Sequence, residues 1–466
     1  MKYLLSSVSG SLSKSRLFAR VIMLMKTLRL SATFAFMLLC ACVAPAQTQT
    51  PAARVAEIQT ALRDNKLDGW LFYDFRKSDP LAYRILKLDE KGITTRRWFY
   101  YVPAAGEPVK IVHSIERFKL DQLPGKKVIY RRWQELHGAV REAVTGAPAA
   151  TPNVKAKLAN DRAAKPKRIA MQYSPTNDIP YVSRVDAGTL ELIRSLGPID
   201  IVTSADLVQR FEAVWTPEQR RMHIEASDKI HRIIMDSFAE IARRVRANEP
   251  VNEYDIQQFM VRRYEEEGLT SDNDPPNVSV GPNSANPHYQ PDSTTHAPIK
   301  RGDFVLFDVW AKLKQPGAVY TDQTWVGYVG ETVPQEHTRI FQIVREARDA
   351  ATNFVRAAMR DGKTIHAAQV DDVSRGIIER AGYGDQFTHR TGHSIGEEVH
   401  GNGAHIDNLE TRDSRRIISG TTFSIEPGIY LEGKFGVRSE INVHVLPNDI
   451  EVTGQPVQTE IIAILK

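Results

Sequence analysis

Five residues of types that bind divalent metals follow one another in the second half of the chain. They are Asp308, Asp322, His393, Glu426 and Glu440. Asp308 and Asp322 lie on two short apolar runs with strand character, joined by a turn rich in Lys, Gln, Pro and Gly. Four carboxylates gathered in a core repel one another unless cations neutralise them. Two divalent metal ions match that charge, so these residues predict a dinuclear metal centre.

The local sequence around the later candidates favours such a centre. Polar and apolar side chains alternate over residues 436–445, which places Glu440 on the polar face of a predicted strand. Glu426 precedes Pro427-Gly428, a turn that ends a strand and leaves the carboxylate at its rim. His393 lies among small residues in GHSIG, where backbone and metal can approach closely. One acid alone on a strand is usually solvated or paired with a cation, so the prediction depends on the whole set.

Helical patterns precede each part of this set. Thr216-Pro217-Glu218-Gln219 predicts a helix start, with Thr as N-cap and Pro at the first helical position. The order helix, helix, strands then occurs twice, which predicts an internal pseudo-duplication. The further predicted helices run from Asn252 to about Glu267, from about Gln335 to Met359, and from about Ile365 to Ala381 with Thr364 as cap.

Residues 52 to about 205 alternate helical and strand patterns, which is typical of an α/β layer domain. Metal-binding residue types do not cluster here in the sequence, so the predicted role is architectural or substrate-restricting. The predicted strands are Gly69–Tyr73, Trp98–Val102, Val109–His113, Lys127–Tyr130, Arg168–Gln172 and Ile199–Val202, with helices over Ala53–Asn65 and Thr189–Ser195 and a loop or weak helix near residues 143–167.

The net positive charge of the chain comes from its first 46 residues. They hold six Lys and Arg and no Asp or Glu, so the remainder carries 55 basic against 56 acidic residues. That balance leaves no basic stripe and argues against a nucleic-acid partner. The two cysteines, Cys40 and Cys42, also lie in this stretch, so the remainder has no disulfide, thiolate metal site or cysteine nucleophile.

Residues 1–46 read as a leader. A positively charged segment at residues 25–29 precedes an apolar run, Leu30 to Val43, and an A-x-A cleavage site ends at Ala46. The run has 14 residues, which is short for a membrane anchor that needs about 20. The pattern predicts a signal peptide and export to the bacterial periplasm or the extracellular space, with residues 1–24 as surplus. The alternative is a lipobox with Cys42 as the lipidated residue, the one membrane attachment that we expect.

The sequence motifs around the five candidates resemble those of a known protein family. The chain resembles the M24 pita-bread metallopeptidases, which include methionine aminopeptidase, aminopeptidase P and prolidase. The resemblance implies an α+β pita-bread catalytic domain over residues 208–466, preceded by a smaller α/β creatinase-type domain over residues 47–207 and a leader over residues 1–46. The matching motifs are LFDVW, YTDQT, GHSIGEEVH, SIEPGIY and GVRSE.

The resemblance also implies a role for each ligand. Asp308 would hold one metal alone, His393 and Glu426 would hold the other, and Asp322 and Glu440 would bridge both. The oxygen-rich set suits Mn²⁺ first, with Co²⁺, Fe²⁺ and Zn²⁺ as alternatives. A hydroxide between two metals would attack the peptide carbonyl, and Glu426 would carry the proton to the leaving amine.

Two histidines and an arginine complete the implied site. His288 in NPHY and His400 in EEVH match the substrate-side histidines of the family, which polarise the scissile carbonyl and hold the tetrahedral intermediate. The alternative for each is a structural loop histidine, and His296 and His405 are nearby competitors. Arg438 matches an arginine that would bind a substrate carboxylate or a ligand; its alternative role is a salt bridge to Glu440.

The implied function is a dinuclear metal-dependent exopeptidase that removes N-terminal residues from short peptides, with preference for Xaa-Pro bonds. A prolidase-like dipeptidase, a non-catalytic binding module, metal-free creatinase-like hydrolysis and a homodimeric state stay open. The chain departs from the family pattern in a longer turn between Asp308 and Asp322, in the absence of an arginine after Asp322, in GHSIG, and in Ile441. These departures bear on substrate preference, because they remove no ligand.

Overall fold

The computed structural model describes residues 50–89, 91–148 and 165–466. The chain divides into two units, Met1–Arg54 and Val55–Lys466, and the sheets and the core described below lie in the second. The predicted signal peptide, its cleavage site, Cys42 and most of the predicted loop at residues 143–167 fall outside the described residues. Within the described ranges, no helix has both the length and the apolar character that crossing a membrane requires.

A six-stranded mixed sheet occupies the N-terminal part of the second unit. Its strands are β1 (Gly69–Asp74), β2 (Trp98–Pro103), β3 (Val109–His113), β4 (Lys126–Tyr130), β5 (Lys167–Met171) and β6 (Ile199–Thr203), in the order β4-β3-β2-β1-β5-β6. The associated helices are α1 (Pro51–Asp64), α2 (Pro80–Leu86), α3 (Trp133–Thr145), α4 (Ala187–Ser195) and α5 (Ala205–Glu212).

Alternation along β1 explains the layers of this region. Trp70 and Phe72 enter one apolar cluster, while Leu71 and Tyr73 enter another on the opposite face. Apolar residues on both faces indicate a sheet that is covered on both sides. The predicted strands are all present, and each end lies within one residue of its expected position. The helix α5 runs through the expected domain boundary between residues 207 and 208. The boundary itself stays a prediction.

The C-terminal part begins with two long helices whose starts the sequence predicts. Its helices are α6 (Pro217–Arg246), α7 (Glu253–Glu267), α8 (Gln335–Arg360) and α9 (Ala367–Arg380). Thr216 and Gln219 form a capping box at the start of α6. Asn252 caps α7, and Gly268 ends it with a left-handed φ of 69°.

The predicted start of the fourth helix was wrong. His366, and not Thr364, is the N-cap of α9. The backbone at this point is engaged elsewhere, because the Ile417 N–H donates to the Ile365 carbonyl and His366 forms a bridge with Arg416. Pairing with a distant extended segment therefore delays the helix by two residues, which local propensity does not reveal.

Short strands and one long hairpin form the remainder of this part. The strands are β7 (Leu269–Thr270), β8 (Asn277–Val280), β9 (Phe304–Leu313), β10 (Thr321–Tyr328), β11 (Thr422–Ile425), β12 (Gly428–Leu431), β13 (Phe435–Arg438), β14 (Ile441–Val445), β15 (Ile450–Thr453) and β16 (Ile462–Ala463). The hairpin β9–β10 is flanked by β7 and β8 on one side and by β16 on the other. The strands β11, β14 and β15 form a separate small sheet.

The strand expected over residues 436–445 is divided in two. The strand β13 pairs with β12, whereas β14 pairs with β11 and β15. Ser439 and Glu440 lie between them, where the chain passes from one partner to the next. A change of pairing partner leaves apolar alternation intact on both sides, so the sequence pattern does not show the interruption.

A candidate metal centre in a polar cavity

The hairpin β9–β10 presents its polar side chains on one face. Asp308 is the register partner of Thr324, and Trp310 is the partner of Asp322. Residues two apart on a strand and register partners across strands share a face, so all four side chains lie on the same side. On the opposite side, Phe307 stacks on Phe238 of α6 at 4.4 Å between ring centroids. The apolar core thus fixes the platform from which both aspartates project.

Asn442 joins the small sheet to this platform. Its amide oxygen accepts from the Asp322 N–H at 3.0 Å, and its amide nitrogen donates to the Asp322 carbonyl at 2.7 Å. Glu440 lies two residues before Asn442. The double contact therefore brings the Glu440 carboxylate to Asp322.

His393 enters from the loop between α9 and β11. Its backbone N–H donates to the Ser424 hydroxyl at 2.9 Å, and its carbonyl accepts from the Ser424 N–H at 2.8 Å. Nδ1 lies 3.2 Å from the Ser394 carbonyl, which can only accept, so Nδ1 carries the hydrogen. The lone pair is then on Nε2, the nitrogen that faces the acids, as in metal-binding histidines generally.

The predicted ligands converge in the interior. Ligand atoms of Asp322, His393 and Glu440 all lie within 4.8 Å of one another, and all three residues are buried. Nε2 of His393 is 3.5 Å from Oδ2 of Asp322 and 3.3 Å from Oε1 of Glu426. The structure thus brings four of the five candidates to one point, and Arg438 links Asp308 to the same group.

Arg438 and Thr324 connect the acids. The Arg438 guanidinium forms an ion pair with Asp308 and lies 3.9 Å from Oε2 of Glu426. Its Nε donates to the Thr324 hydroxyl at 2.9 Å, and that hydroxyl donates to Glu440 at 2.8 Å. The ion pair of Arg438 is therefore with Asp308, and the substrate role of Arg438 stays a prediction.

The charges in this cluster are not balanced. Burial raises the pKa of Asp322 well above its ordinary value, and the Asp308 and Glu426 carboxylates raise it further. Burial and the Asp322 carboxylate do the same to the pKa of Glu440. Burial also pushes the pKa of Glu426 upward, but His393 and Arg438 outweigh it and the pKa falls below its ordinary value.

Two carboxylate oxygens in the cluster have no partner. Oδ1 of Asp322 and Oε1 of Glu440 are buried and have no hydrogen-bond partner among the described residues. Buried acceptors without a donor are rare and costly. Carboxylate oxygens that converge with the lone pair of an imidazole nitrogen are typical ligands of a divalent cation. The residues present therefore fit a metal site.

A cavity of about 750 Å³ opens over this cluster. Both predicted substrate histidines line it. The His400 ring lies 4.4 Å from the His393 ring and is nearly perpendicular to it. The neighbouring His393 and burial lower the pKa of His400 to about 3. His288 is exposed, and its backbone N–H donates to the Asn286 side chain at 3.1 Å.

The competing histidines lie elsewhere. His405 is buried and packs on Tyr181 at 4.1 Å between ring centroids. His296 lies near Tyr254 and is not among the lining residues of the cavity. Neither of these competitors lines the cavity. His288 and His400 do, together with His389 and His393.

Several residues of the site were not predicted from the sequence. The alternation along β10 could have indicated Thr324, which lies two residues after Asp322. Tyr181 comes from the N-terminal part, and its hydroxyl accepts from Nη1 of Arg390 at 2.7 Å. A contact across 209 residues of sequence leaves no local signal. Other lining residues that were not predicted are Asp274, Asn277, Trp310, His389 and Glu410.

Solved structures share this architecture. The prolidase from Thermococcus sibiricus superposes with a TM-score of 0.54 and 21% identity, over 89% of this chain and 99% of that one. The dipeptidase from Mycobacterium ulcerans gives a TM-score of 0.59 and 21% identity, over 89% and 98%. The fold is therefore the pita-bread fold preceded by a smaller α/β region, and the predicted fold class is confirmed.

Sequence comparison defines the family. Residues 223–447 match the model of metallopeptidase family M24. The Xaa-Pro dipeptidase of Lactobacillus helveticus is 36% identical over 163 residues, which are 35% of this chain and 40% of that protein. A relative from Bacillus subtilis (strain 168) is 28% identical over 255 residues, 55% of this chain and 64% of that protein. Residues 223–447 therefore form a region of metallopeptidase family M24, and the chain spans less than two thirds of the length of these two relatives.

Proposed function

We propose that this chain is a metal-dependent exopeptidase that cleaves Xaa-Pro bonds at the N-terminus of short peptides. The observation that carries the proposal is the buried cluster of Asp322, His393 and Glu440 beneath a polar cavity. The cavity volume of about 750 Å³ lies in the range of small-molecule sites. Membership of family M24 and the name of the Lactobacillus relative support the same reaction.

Five residues would hold the metal ions. Asp308, Asp322, His393, Glu426 and Glu440 offer oxygen and one imidazole nitrogen, and we propose Mn²⁺ as the ion because such a set suits it. Two bound cations would supply Lewis acidity toward the peptide carbonyl and make water a stronger acid. Arg438 and Thr324 would keep Asp308, Glu426 and Glu440 in place through the contacts described above.

Glu426 is suited to move a proton. Its pKa is held below the ordinary value, so it is an anion at neutral pH and accepts protons. The Ser424 hydroxyl donates to its Oε1 at 3.0 Å, which fixes the carboxylate at the cavity floor. From there it takes a proton from the attacking water and gives it to the leaving amine.

His288 and His400 are suited to stabilise charge on the substrate. Both lie on the cavity wall. With a pKa of about 3, His400 is neutral at neutral pH and can donate a ring N–H to an oxygen that becomes negative. His288 would donate to the same carbonyl oxygen from the loop before β9.

Metal analysis and turnover test the proposal together. The full chain is reconstituted with Mn²⁺, its metal content is measured, and Ala-Pro and Ala-Pro-Ala are offered as substrates. We expect His393→Ala and Glu426→Ala to lose metal and activity, whereas Glu432→Ala, which changes an exposed acid on the turn after β12, keeps both. Stoichiometric metal without turnover of any short peptide would contradict the activity. Full metal content in both variants would contradict the ligand assignment.

One observation favours a dipeptidase over an aminopeptidase. Arg390 lines the cavity and, within the described residues, its guanidinium donates to the Tyr181 hydroxyl and forms no ion pair with an acid. An unpaired guanidinium in a substrate cavity can receive the terminal carboxylate of a dipeptide. Faster hydrolysis of Ala-Pro than of Ala-Pro-Ala supports the dipeptidase, and the reverse order supports the aminopeptidase.

Export is a further part of the proposal. The charged segment, the apolar run and the A-x-A site in residues 25–46 support it. Mass spectrometry of the mature protein decides between the two processing routes. A mature chain that begins at Gln47 indicates a cleaved signal peptide, and an acylated Cys42 indicates a lipid anchor.

A further inference from the structure

One corner of the cavity contains acceptors for which the proposed reaction has no use. Asp274, Asn277 and Trp310 line the cavity beside Asp308. Asn277 on β8 is the register partner of Asp308, so the two side chains lie on the same face of the sheet. Trp310 lies on that face as well, two residues after Asp308. The corner therefore adjoins the Asp308 side of the candidate metal centre.

Asn277 has a buried oxygen that no protein group satisfies. Its side chain is 3% exposed. Its Nδ2 donates to the Tyr289 carbonyl, which fixes the amide orientation. Oδ1 then has no hydrogen-bond partner among the described residues. Buried polar atoms without partners are exceptions in folded proteins and call for a ligand or water.

Asp274 supplies a carboxylate to the same corner. Within the described ranges it forms no ion pair, whereas Asp272 two residues earlier pairs with Lys312 at 2.7 Å and accepts from the Tyr320 hydroxyl at 2.9 Å. Asp274 lines the cavity together with Asp308 and Trp310. The two acids of this loop therefore differ, since one is paired away from the cavity and the other faces it.

We propose that this corner is a receptor for an ammonium group on the N-terminal residue of the substrate. An ammonium group has three donors and no acceptor, which complements a carboxylate and an unpaired amide oxygen. An indole ring beside the acid favours a cation further. An apolar group here would leave Oδ1 of Asn277 unsatisfied. The inference rests on the proposed function for the direction in which the peptide lies.

Two sources could supply the ammonium group, namely the α-amine and a lysine side chain. L-Norleucine carries the first alone, and Nα-acetyl-L-lysine carries the second alone. Binding of each probe to the Mn²⁺-loaded full chain is measured by calorimetry at low ionic strength. Asp274→Asn is expected to weaken at least one probe by roughly 10-fold or more, because hydrogen bonds to charged groups are among the stronger ones. The probe that loses affinity identifies the source.

A matched variant distinguishes binding by Asp274 from the general electrostatic effect of negative charge in this loop. Asp272→Asn removes one negative charge two residues away and is expected to leave both affinities within about twofold, since that acid is paired with Lys312. Unchanged binding of both probes to Asp274→Asn overturns the inference. An equal loss of affinity in Asp272→Asn also overturns it.

The same variants separate this inference from the proposed reaction. Probe binding needs no turnover, so loss of affinity in Asp274→Asn supports the receptor even when no peptide is cleaved. Cleavage of Ala-Pro combined with unchanged probe binding overturns the receptor alone. If the side chain is the source, Asp274→Asn lowers kcat/KM for Lys-Pro and leaves norleucine-Pro within about twofold.

Discussion

Thr324 connects three charged groups through one hydroxyl. Its Oγ1 donates to Glu440 at 2.8 Å, accepts from Arg438 at 2.9 Å, and lies 3.2 Å from Asp308. Groups that contact ligands, without binding the metal themselves, fix ligand orientation. The residue is buried, so water does not readily replace the contact.

Thr324→Val keeps the shape of the side chain and removes the hydroxyl. We expect metal affinity to fall by roughly 10–100-fold, which is typical for loss of a contact that orients ligands. Thr324→Ser keeps the hydroxyl and should retain most of the affinity. Titration of the metal-free protein with Mn²⁺ measures both variants, and equal affinity of Thr324→Val and the unchanged protein would contradict this role.

Asp79 is a buried acid remote from the cavity. It caps α2 by accepting from the Ala82 N–H at 3.1 Å, and its Oδ2 has no partner among the described residues. Burial raises its pKa to about 7. The folded state therefore holds the proton more tightly than the unfolded state, whose pKa is near 3.9.

The sign of the pH dependence follows from this difference. The contribution of protonated Asp79 to stability is complete below about pH 4 and is lost as pH rises through about 7. Asp79→Asn keeps the capping oxygen and removes the titration. We expect it to raise the free energy of unfolding at pH 8 by about 1–3 kcal/mol. Urea unfolding at pH 5 and pH 8 measures this change, and an unaltered pH dependence in the variant would refute it.

At the scale of elements, α7 anchors the segment that carries His288. Glu253 in its first turn is fully buried. Its carboxylate accepts from the Val280 N–H at 2.7 Å, the Asn283 amide at 3.0 Å, the Tyr289 hydroxyl at 2.6 Å and the Ala297 N–H at 2.6 Å. One acid thus ties down both ends and the middle of a segment with little regular structure.

Glu253→Gln replaces the carboxylate by an amide that accepts through one oxygen only. We expect kcat/KM for Ala-Pro to fall by roughly 10–100-fold, because contacts to a charged acceptor are lost, while metal content stays unchanged. Hydrogen exchange should accelerate over residues 281–298. Glu265→Gln, an exposed change on the same helix, is the control. Loss of activity without faster exchange in this segment would assign Glu253 another role.

At the scale of the whole molecule, the N-terminal part supplies a wall of the cavity. Tyr181 contacts Arg390 through its hydroxyl and packs on His405 through its ring. Arg84 of α2 pairs with Glu212 of α5 at 2.7 Å and with Glu398 of the loop after His393 at 3.2 Å. These contacts place the six-stranded sheet region against the loop that carries two of the candidate histidines.

Tyr181→Phe keeps the ring and removes the hydroxyl that holds Arg390. We expect KM for Ala-Pro to rise by about 3–10-fold, with kcat and metal content nearly unchanged, because the variant removes one neutral hydrogen bond to Arg390 and changes none of the five candidate ligands. Tyr173→Phe is a control in the same part of the chain, since Tyr173 does not line the cavity. A fall in kcat at constant KM would contradict this role.

The sequence by itself determined most of the helices and strands and named the five candidate ligands. Caps such as Thr216 and Asn252, and the apolar run of β1, are local patterns, and local patterns suffice to specify helices and strands. The five metal-type residues were predictable because each lies in a motif of its own. Their order along the chain carried the family resemblance.

Only the tertiary structure decided how these elements meet. The late start of α9 and the break between β13 and β14 depend on strands that pair over long distances. The Tyr181–Arg390 contact and the four groups that donate to Glu253 likewise join residues far apart in sequence, and the unpaired Asn277 oxygen becomes visible only in the folded chain. Such contacts arise from packing and from the need to satisfy buried polar groups, and neither is encoded in a local pattern.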